Sequence, residues 1–227
     1  GIICLITAIC FLIVTPKEYE FTARMRLIGN NHGMMSELKM LKTSGISALL
    51  GGSTSGISIE DEIIVLTSRT NMTKAILQTN YQMEIRQQRG LKKVLLYGKD
   101  VPFTVLFPEQ FLDTISEPVK IKMTLSNGMM QSAKIQSELF EIMKVQDQSL
   151  PCRLQLPIGT IMLAPNSEIS TFDKQTFNIK ITPLQKVYED LYKKITAGAE
   201  ETISDIILLS FDNENKQRGR DFLNELM

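Results

Sequence analysis

GIICLITAICFLIVTPKEYEFTARMRL, residues 1–27, changes character at one point. Gly1–Val14 carries no charge, whereas Tyr19–Leu27 alternates apolar and polar at every step. The first is a helix-like apolar run, and the second has the two-residue period of a strand with one buried face. Thr15-Pro16-Lys17 divides them. At about 1.5 Å per residue the run covers about 21 Å of a hydrocarbon layer about 30 Å thick. The chain opens on Gly, so residues 1–15 are read as the C-terminal part of a transmembrane helix whose start lies upstream. A signal-peptide core and a buried helix are the alternatives. No basic n-region is present before the run, and Thr15-Pro16-Lys17 is a poor cleavage site, which weighs against the first. A domain folded from residue 16 onward then begins at a bilayer surface.

Composition narrows what that domain can do. Its 227 residues suit one domain, or one domain with a subdomain. Lys+Arg and Asp+Glu both number 25, and this balance argues against a nucleic-acid binder. Trp is absent and aromatics are sparse, which disfavours a lectin surface that stacks on sugars. Cys4 and Cys10 fall inside the apolar run and Cys152 stands alone, so the folded part has no disulfide framework.

Along the chain, residues 28–56 are rich in Gly, Ser, Met and Asn and read as a loop, with a short helix around Met34–Leu41. Ser58 and the acids Glu60, Asp61 and Glu62 mark a helix start, with Ser58 as cap and Asp61 at the capping-box position. One amphipathic helix is expected from Ile59 to about Thr79. Its packing face would be Ile59, Ile63, Leu66, Thr70, Thr73 and Leu77, opposite Glu62, Arg69 and Lys74. Strands are expected at Lys92–Tyr97, Phe103–Phe107 and Val119–Leu125, the last closed by a Ser126-Asn127-Gly128 turn. Tyr81–Arg89 and Lys134–Val145 stay ambiguous. Leu154–Leu163, interrupted by Pro157 and Gly159, reads as a bent or edge strand. Phe177–Ile181 is a strand, and Thr182-Pro183 opens a helix through Leu184, Val187, Leu191 and Ile195. Asp205–Phe211 reads as a strand covered on both faces. Asp212–Asn215 leads into a final helix with Phe222, Leu223 and Leu226 on one side; it carries no stop signal and reads as truncated.

No catalytic constellation emerges. His32, the single histidine, lies in a loop and leaves both Ser/His/Asp catalysis and a metal cluster without partners. The Gly51–Gly56 run lacks the Lys-Ser/Thr of a phosphate loop and precedes acids that repel phosphate. Asp113, Glu117, Glu138 and Glu141 show no spacing that marks a catalytic pair. The expected catalytic, metal and cofactor sets are empty.

The order of features resembles the Wzz-type chain-length determinants, or polysaccharide co-polymerases, including the periplasmic region of Wzc-like exopolysaccharide tyrosine kinases. The resemblance rests on the apolar helix, Tyr19–Ala23, the Gly/Ser-rich loop, and the helix Ile59-Glu60-Asp61-Glu62-Ile63-Ile64-Val65-Leu66-Thr67-Ser68-Arg69. It returns at Phe177–Ile195, Ile206–Phe211, Asp212-Asn213-Glu214-Asn215 and Arg218–Met227, and is weak across Gly98–Asn166. It implies an α/β (α+β) fold in which a membrane-proximal mixed sheet carries packed helices. The expected parts are the transmembrane segment 1–15, halves of the membrane-proximal domain at 16–97 and 167–212, a β-rich insertion at 98–166, and a helical arm starting at 213–227. It further implies a homo-oligomeric ring on the periplasmic side of the inner membrane. Such a ring works with a polymerase and a growing O-antigen, capsule or exopolysaccharide chain and sets its length. Glu60, Glu62, Ser68 and Arg69 are the candidate subunit contacts, and the Ser44–Gly56 loop is expected to reach a neighbour or stay mobile. No Walker-type sequence is present, so kinase activity is not assigned to these residues. A membrane-anchored sensor or ligand-binding domain is the rival expectation.

Overall fold

The computed structural model describes Cys4 and residues 17–26, 59–166, 174–200 and 203–227. Apart from Cys4, the apolar run lies outside the described residues, as do the 28–56 loop, with His32 in it, and Ser58. Among the described residues no helix is long and apolar enough to cross a membrane. The elements run β1 (Tyr19–Arg26), α1 (Ile59–Leu66), α2 (Arg69–Gln78), β2 (Met83–Arg89), β3 (Lys92–Leu96) and β4 (Phe103–Leu106). Then follow α3 (Glu109–Thr114), β5 (Val119–Ser126), β6 (Met129–Ser137), β7 (Phe140–Ser149), β8 (Cys152–Leu156) and β9 (Gly159–Pro165). The chain closes with β10 (Gln175–Ile181), α4 (Leu184–Lys194), β11 (Thr196–Glu200), β12 (Ile203–Asn213) and α5 (Lys216–Leu226). Among the described residues the fold is α+β and rich in strand, in three sheets. Every described strand pair is antiparallel, where a mixed sheet was expected.

The first core joins residues far apart in sequence. β1 pairs along its whole length with β12, from Tyr19 opposite Asn213 to Arg26 opposite Ile206, and β11 flanks β12 on its other edge. Ile207, Leu209 and Phe211 are buried under the helices, with Leu66, Met72, Ile76, Val187, Leu191 and Phe222 packed onto them. Ile206, Leu208 and Ser210 on the other face are only half-buried, so among the described residues β12 is not fully covered on both sides. All the helices of this core share one face of a three-stranded sheet.

The expected helix 59–79 breaks at Thr67-Ser68. The Thr67 hydroxyl donates to Ile63 O at 2.7 Å, and Ser68 adopts an extended backbone from which its Oγ accepts from Asn71 N at 3.4 Å. The second hydroxyl therefore starts a new helix, as such residues do when they compete with a continuing ladder. The break resets the helical phase. α2 buries Met72, Ala75 and Ile76, leaving Thr70 exposed and Leu77 42% exposed. The regular spacing through Thr70, Thr73 and Leu77 thus misidentifies the buried stripe.

The second core spans Ile85 to Ile181. Its larger sheet has the order β3-β2-β10-β5-β6-β7, and its smaller sheet the order β4-β9-β8. The two close over a common interior in which Phe103 of β4 meets Phe177 of β10 edge-on at 5.2 Å. Asn127 and Gly128, both with positive φ, form the expected β5–β6 turn. The ambiguous 134–145 segment is two strands, β6 and β7. Residues 154–163 are likewise not one bent strand but the β8–β9 hairpin, because Pro157 and Gly159 sit at its turn rather than at a kink. Strands on both sides of the expected 98–166 insertion, β2, β3 and β10, join its sheet.

The chain passes from the first core to the second after Gln82 and returns at Thr182, and the two crossings touch: Thr182 N donates to Gln82 O at 2.8 Å. Near this seam, α5 lies tightly on β1. A Cβ added at Gly219 would meet the Phe21 ring at 2.5 Å, so only glycine permits this approach. Gly219→Ala is expected to lower stability by about 1–3 kcal/mol through overpacking. A urea midpoint reads the loss, and Phe21→Leu in the same background recovers part of it.

Candidate functional site

The four expected contact residues occupy two places. Glu60 and Glu62 stand with Asp61 in the first turn of α1, where carboxylates meet the positive end of the helix dipole. Ser68 caps α2, so its hydroxyl has a local partner. Arg69 is exposed and lines a cleft of about 260 Å³ with Thr73, Asp113, Ile115 and Tyr188. Between the two places, Ile64 and Val65 are 66% and 57% exposed. Two adjacent β-branched residues facing solvent on a helix flanked by charge form an apolar spot that the phase argument did not anticipate.

The most constrained polar cluster lies elsewhere, where the two cores meet. Asp212-Asn213-Glu214-Asn215 ends β12 and starts α5. Asn213 Nδ2 donates to the Tyr81 hydroxyl at 2.5 Å, and Asn213 Oδ1 accepts from Asn215 N at 2.8 Å. Asn215 caps α5, its Oδ1 accepting from Gln217 N and Arg218 N, both at 3.0 Å. Glu214 receives both terminal nitrogens of Arg86 on β2, at 2.7 and 2.9 Å, a bidentate bridge between the cores. Arg218 is only 3% exposed. Its guanidinium lies 3.9 Å from the centre of the Tyr81 ring, and Nη2 donates to Tyr81 O at 2.6 Å. Its Nε is buried with no partner among the described residues. A second tie, Lys186 Nζ to Glu117 at 2.6 Å, joins α4 to the loop before β5.

Burial pushes the Tyr81 phenol above its ordinary value near 10, against the opposing pull of Arg218 and of the Asn213 hydrogen bond. Tyr97, nearby, is also pushed up by burial, and the Asp221 carboxylate adds to the effect. Burial likewise raises the Cys152 thiol, disfavouring a nucleophilic thiolate. Among the described residues no group of His, Cys, Asp and Glu is placed to hold a metal. Of the carboxylates in the β-rich middle, Glu117 is held by Lys186 and Asp113 lines the Arg69 cleft. Glu138 and Glu141 flank the β6–β7 turn.

No family model matches the chain, and no curated protein matches it.

Sequence reading singled out the Asp-Asn-Glu-Asn run but missed its partners Tyr81, Arg86 and Arg218. One signal was present: Arg218 falls four residues before Phe222 and eight before Leu226, so a charge sits on the apolar stripe of α5. A cation in that position must find acceptors inside.

Two outcomes follow from this junction. Arg218→Met removes charge-assisted bonds to backbone carbonyls and should destabilise the chain by about 1.5–3 kcal/mol in a urea titration. The phenols set a pH dependence. A raised folded-state pKa gives stability that is complete below the unfolded value near 10 and is lost as pH climbs through the folded value. Stability should fall above pH 10, and Tyr81→Phe should flatten that fall.

Proposed function

We propose that this chain is the extracytoplasmic body of a bacterial inner-membrane polysaccharide co-polymerase, which assembles into a ring and regulates the chain length or export of a surface polysaccharide. The observation that carries the reading is the shared origin of β1 and α5. Tyr19 lies opposite Asn213, the Lys216 ammonium sits 4.6 Å over the Tyr19 ring, and Gly219 abuts Phe21. β1 and α5 therefore start at one end of the sheet and run the same way. A chain arriving from a bilayer just before Lys17 sends both away from that bilayer, as the base of a rising helical arm would. The Arg86–Glu214 bridge and the Asn215 cap fix the direction of departure.

Regulation by geometry needs copies held in closed symmetry, with one patch of each subunit meeting another patch of the next. Ile64 and Val65, flanked by Glu60, Glu62 and Arg69, supply an apolar centre with a charged rim, the usual anatomy of such a contact. Light scattering of the full-length protein in detergent should give one discrete high-order species, and a monomer would overturn the reading. Ile64→Glu combined with Val65→Glu should reduce that species to smaller ones while leaving the thermal midpoint within about 1 °C, since surface changes rarely alter stability much. In the native host, deleting the gene should shift the gel profile of the surface polysaccharide, and restoring it should return the profile.

A further inference from the structure

The open face of the six-stranded sheet carries a cationic row that the fold does not explain. Strand register places Arg86, Asn178, Lys122, Lys134 and Lys144 side by side across β2, β10, β5, β6 and β7. A second row sets Glu84, Lys180, Lys120 and Gln136 abreast. Arg86 is neutralised by Glu84 and Glu214. No carboxylate among the described residues pairs with Lys120, Lys122, Lys134, Lys144 or Lys180.

Like charges directly opposite on neighbouring strands repel. Lysine on a sheet edge is a common guard against aggregation, and Lys144 on the edge strand β7 fits that role. Lys120, Lys122, Lys134 and Lys180 stand on inner strands and do not. In a chain with 25 bases and 25 acids, this is a local excess rather than a basic protein. Between the rows runs an open groove of about 320 Å³. Asn178 Nδ2, between Arg86 and Lys122, is buried there with no partner among the described residues. Lysine donors surround this unsatisfied amide donor, and Glu84, the one carboxylate among the described lining residues, is already held by Arg86, so the groove favours an acidic ligand.

We infer that this groove binds a linear acidic glycan through its carboxylates. The row extends across four inter-strand steps of about 4.8 Å, or about 19 Å, long enough for several successive sugars. Among the described residues no aromatic side chain lines the groove, so they offer neither a platform for nucleobases nor a stacking face for neutral sugars. Charge and hydrogen bonding are what it presents. The identity of the polyanion as a glycan rests on the polysaccharide reading above; the anion preference rests on the sheet alone.

The experiment titrates full-length protein in detergent with an oligoguluronate, a linear sugar bearing one carboxylate per residue. Neutral dextran oligosaccharide, single-stranded oligo-dT and phosphatidylglycerol vesicles are the comparators, and light scattering is run on the same samples. Oligoguluronate binding that weakens with salt is expected, as for any contact made by releasing counterions. Lys122→Gln with Lys134→Gln should weaken it about tenfold, and Asn178→Ala should weaken it further, while Lys74→Gln on α2 leaves it unchanged. No binding, or equal binding of dextran, overturns the inference. Tighter binding of oligo-dT or of the vesicles through the same lysines also overturns it, assigning the face to nucleic acid or lipid. Binding by a protein that scatters as a monomer would uphold the groove and sink the ring; a ring without binding would do the reverse.

Discussion

The buried guanidinium of Arg218 is the constraint around which this chain is arranged. It leaves α5 on the apolar stripe, lies against the Tyr81 ring, and donates to the carbonyl of the residue just before the chain enters its second core. Removing a charge from water is tolerable only with close acceptors and a polarizable neighbour. Backbone carbonyls supply the first and the phenol ring the second. Because those acceptors belong to the connection between α2 and β2, the helix, the strand end at Asn213 and the connection are fixed as one unit. Glu214 extends that unit across the seam to Arg86.

Two bodies of different character result. The first is helices on a small sheet, tied to the N-terminal strand and to the helix that departs beside it. The second is a two-sheet β structure whose inner strands carry its charge on the open face. The scaffold proposed above would need an element that sets orientation and a surface that meets its polymer. The division of apolar and cationic features between the bodies supports that partition of labour. The seam holds them through a bidentate ion pair, a Lys186–Glu117 pair and a hydrogen bond from Asn215 Nδ2 to Leu95 O, which are directional interactions rather than a large apolar contact.

What could be read beforehand follows from the range of each signal. Local periodicity located β1, β5, β10, α4 and α5 closely, because alternation and capping are written within a few residues. The break at Thr67-Ser68 escaped because its hydroxyls are compatible with a continuing helix until the tertiary packing of Met72 and Ile76 decides the phase. β11, Thr196–Glu200, was missed because Thr-Ala-Gly-Ala-Glu has little strand propensity and exists by pairing with β12. Of the candidate site, the Asn213–Asn215 run was visible as polar residues before a helix. The lysine row was not, because Lys122, Lys134 and Lys144 become neighbours only once the hairpin register is known.

The hydrogen bond from Thr182 to Gln82 means that the β body hangs from the helical one by two adjacent backbone strands. Such a graft point lets a module be exchanged, enlarged or deleted without disturbing its host, since a short turn could close the gap. The β body can then diversify while its helical base stays as it is. Chains with the same base and unrelated cassettes at this position would be the natural outcome of that architecture.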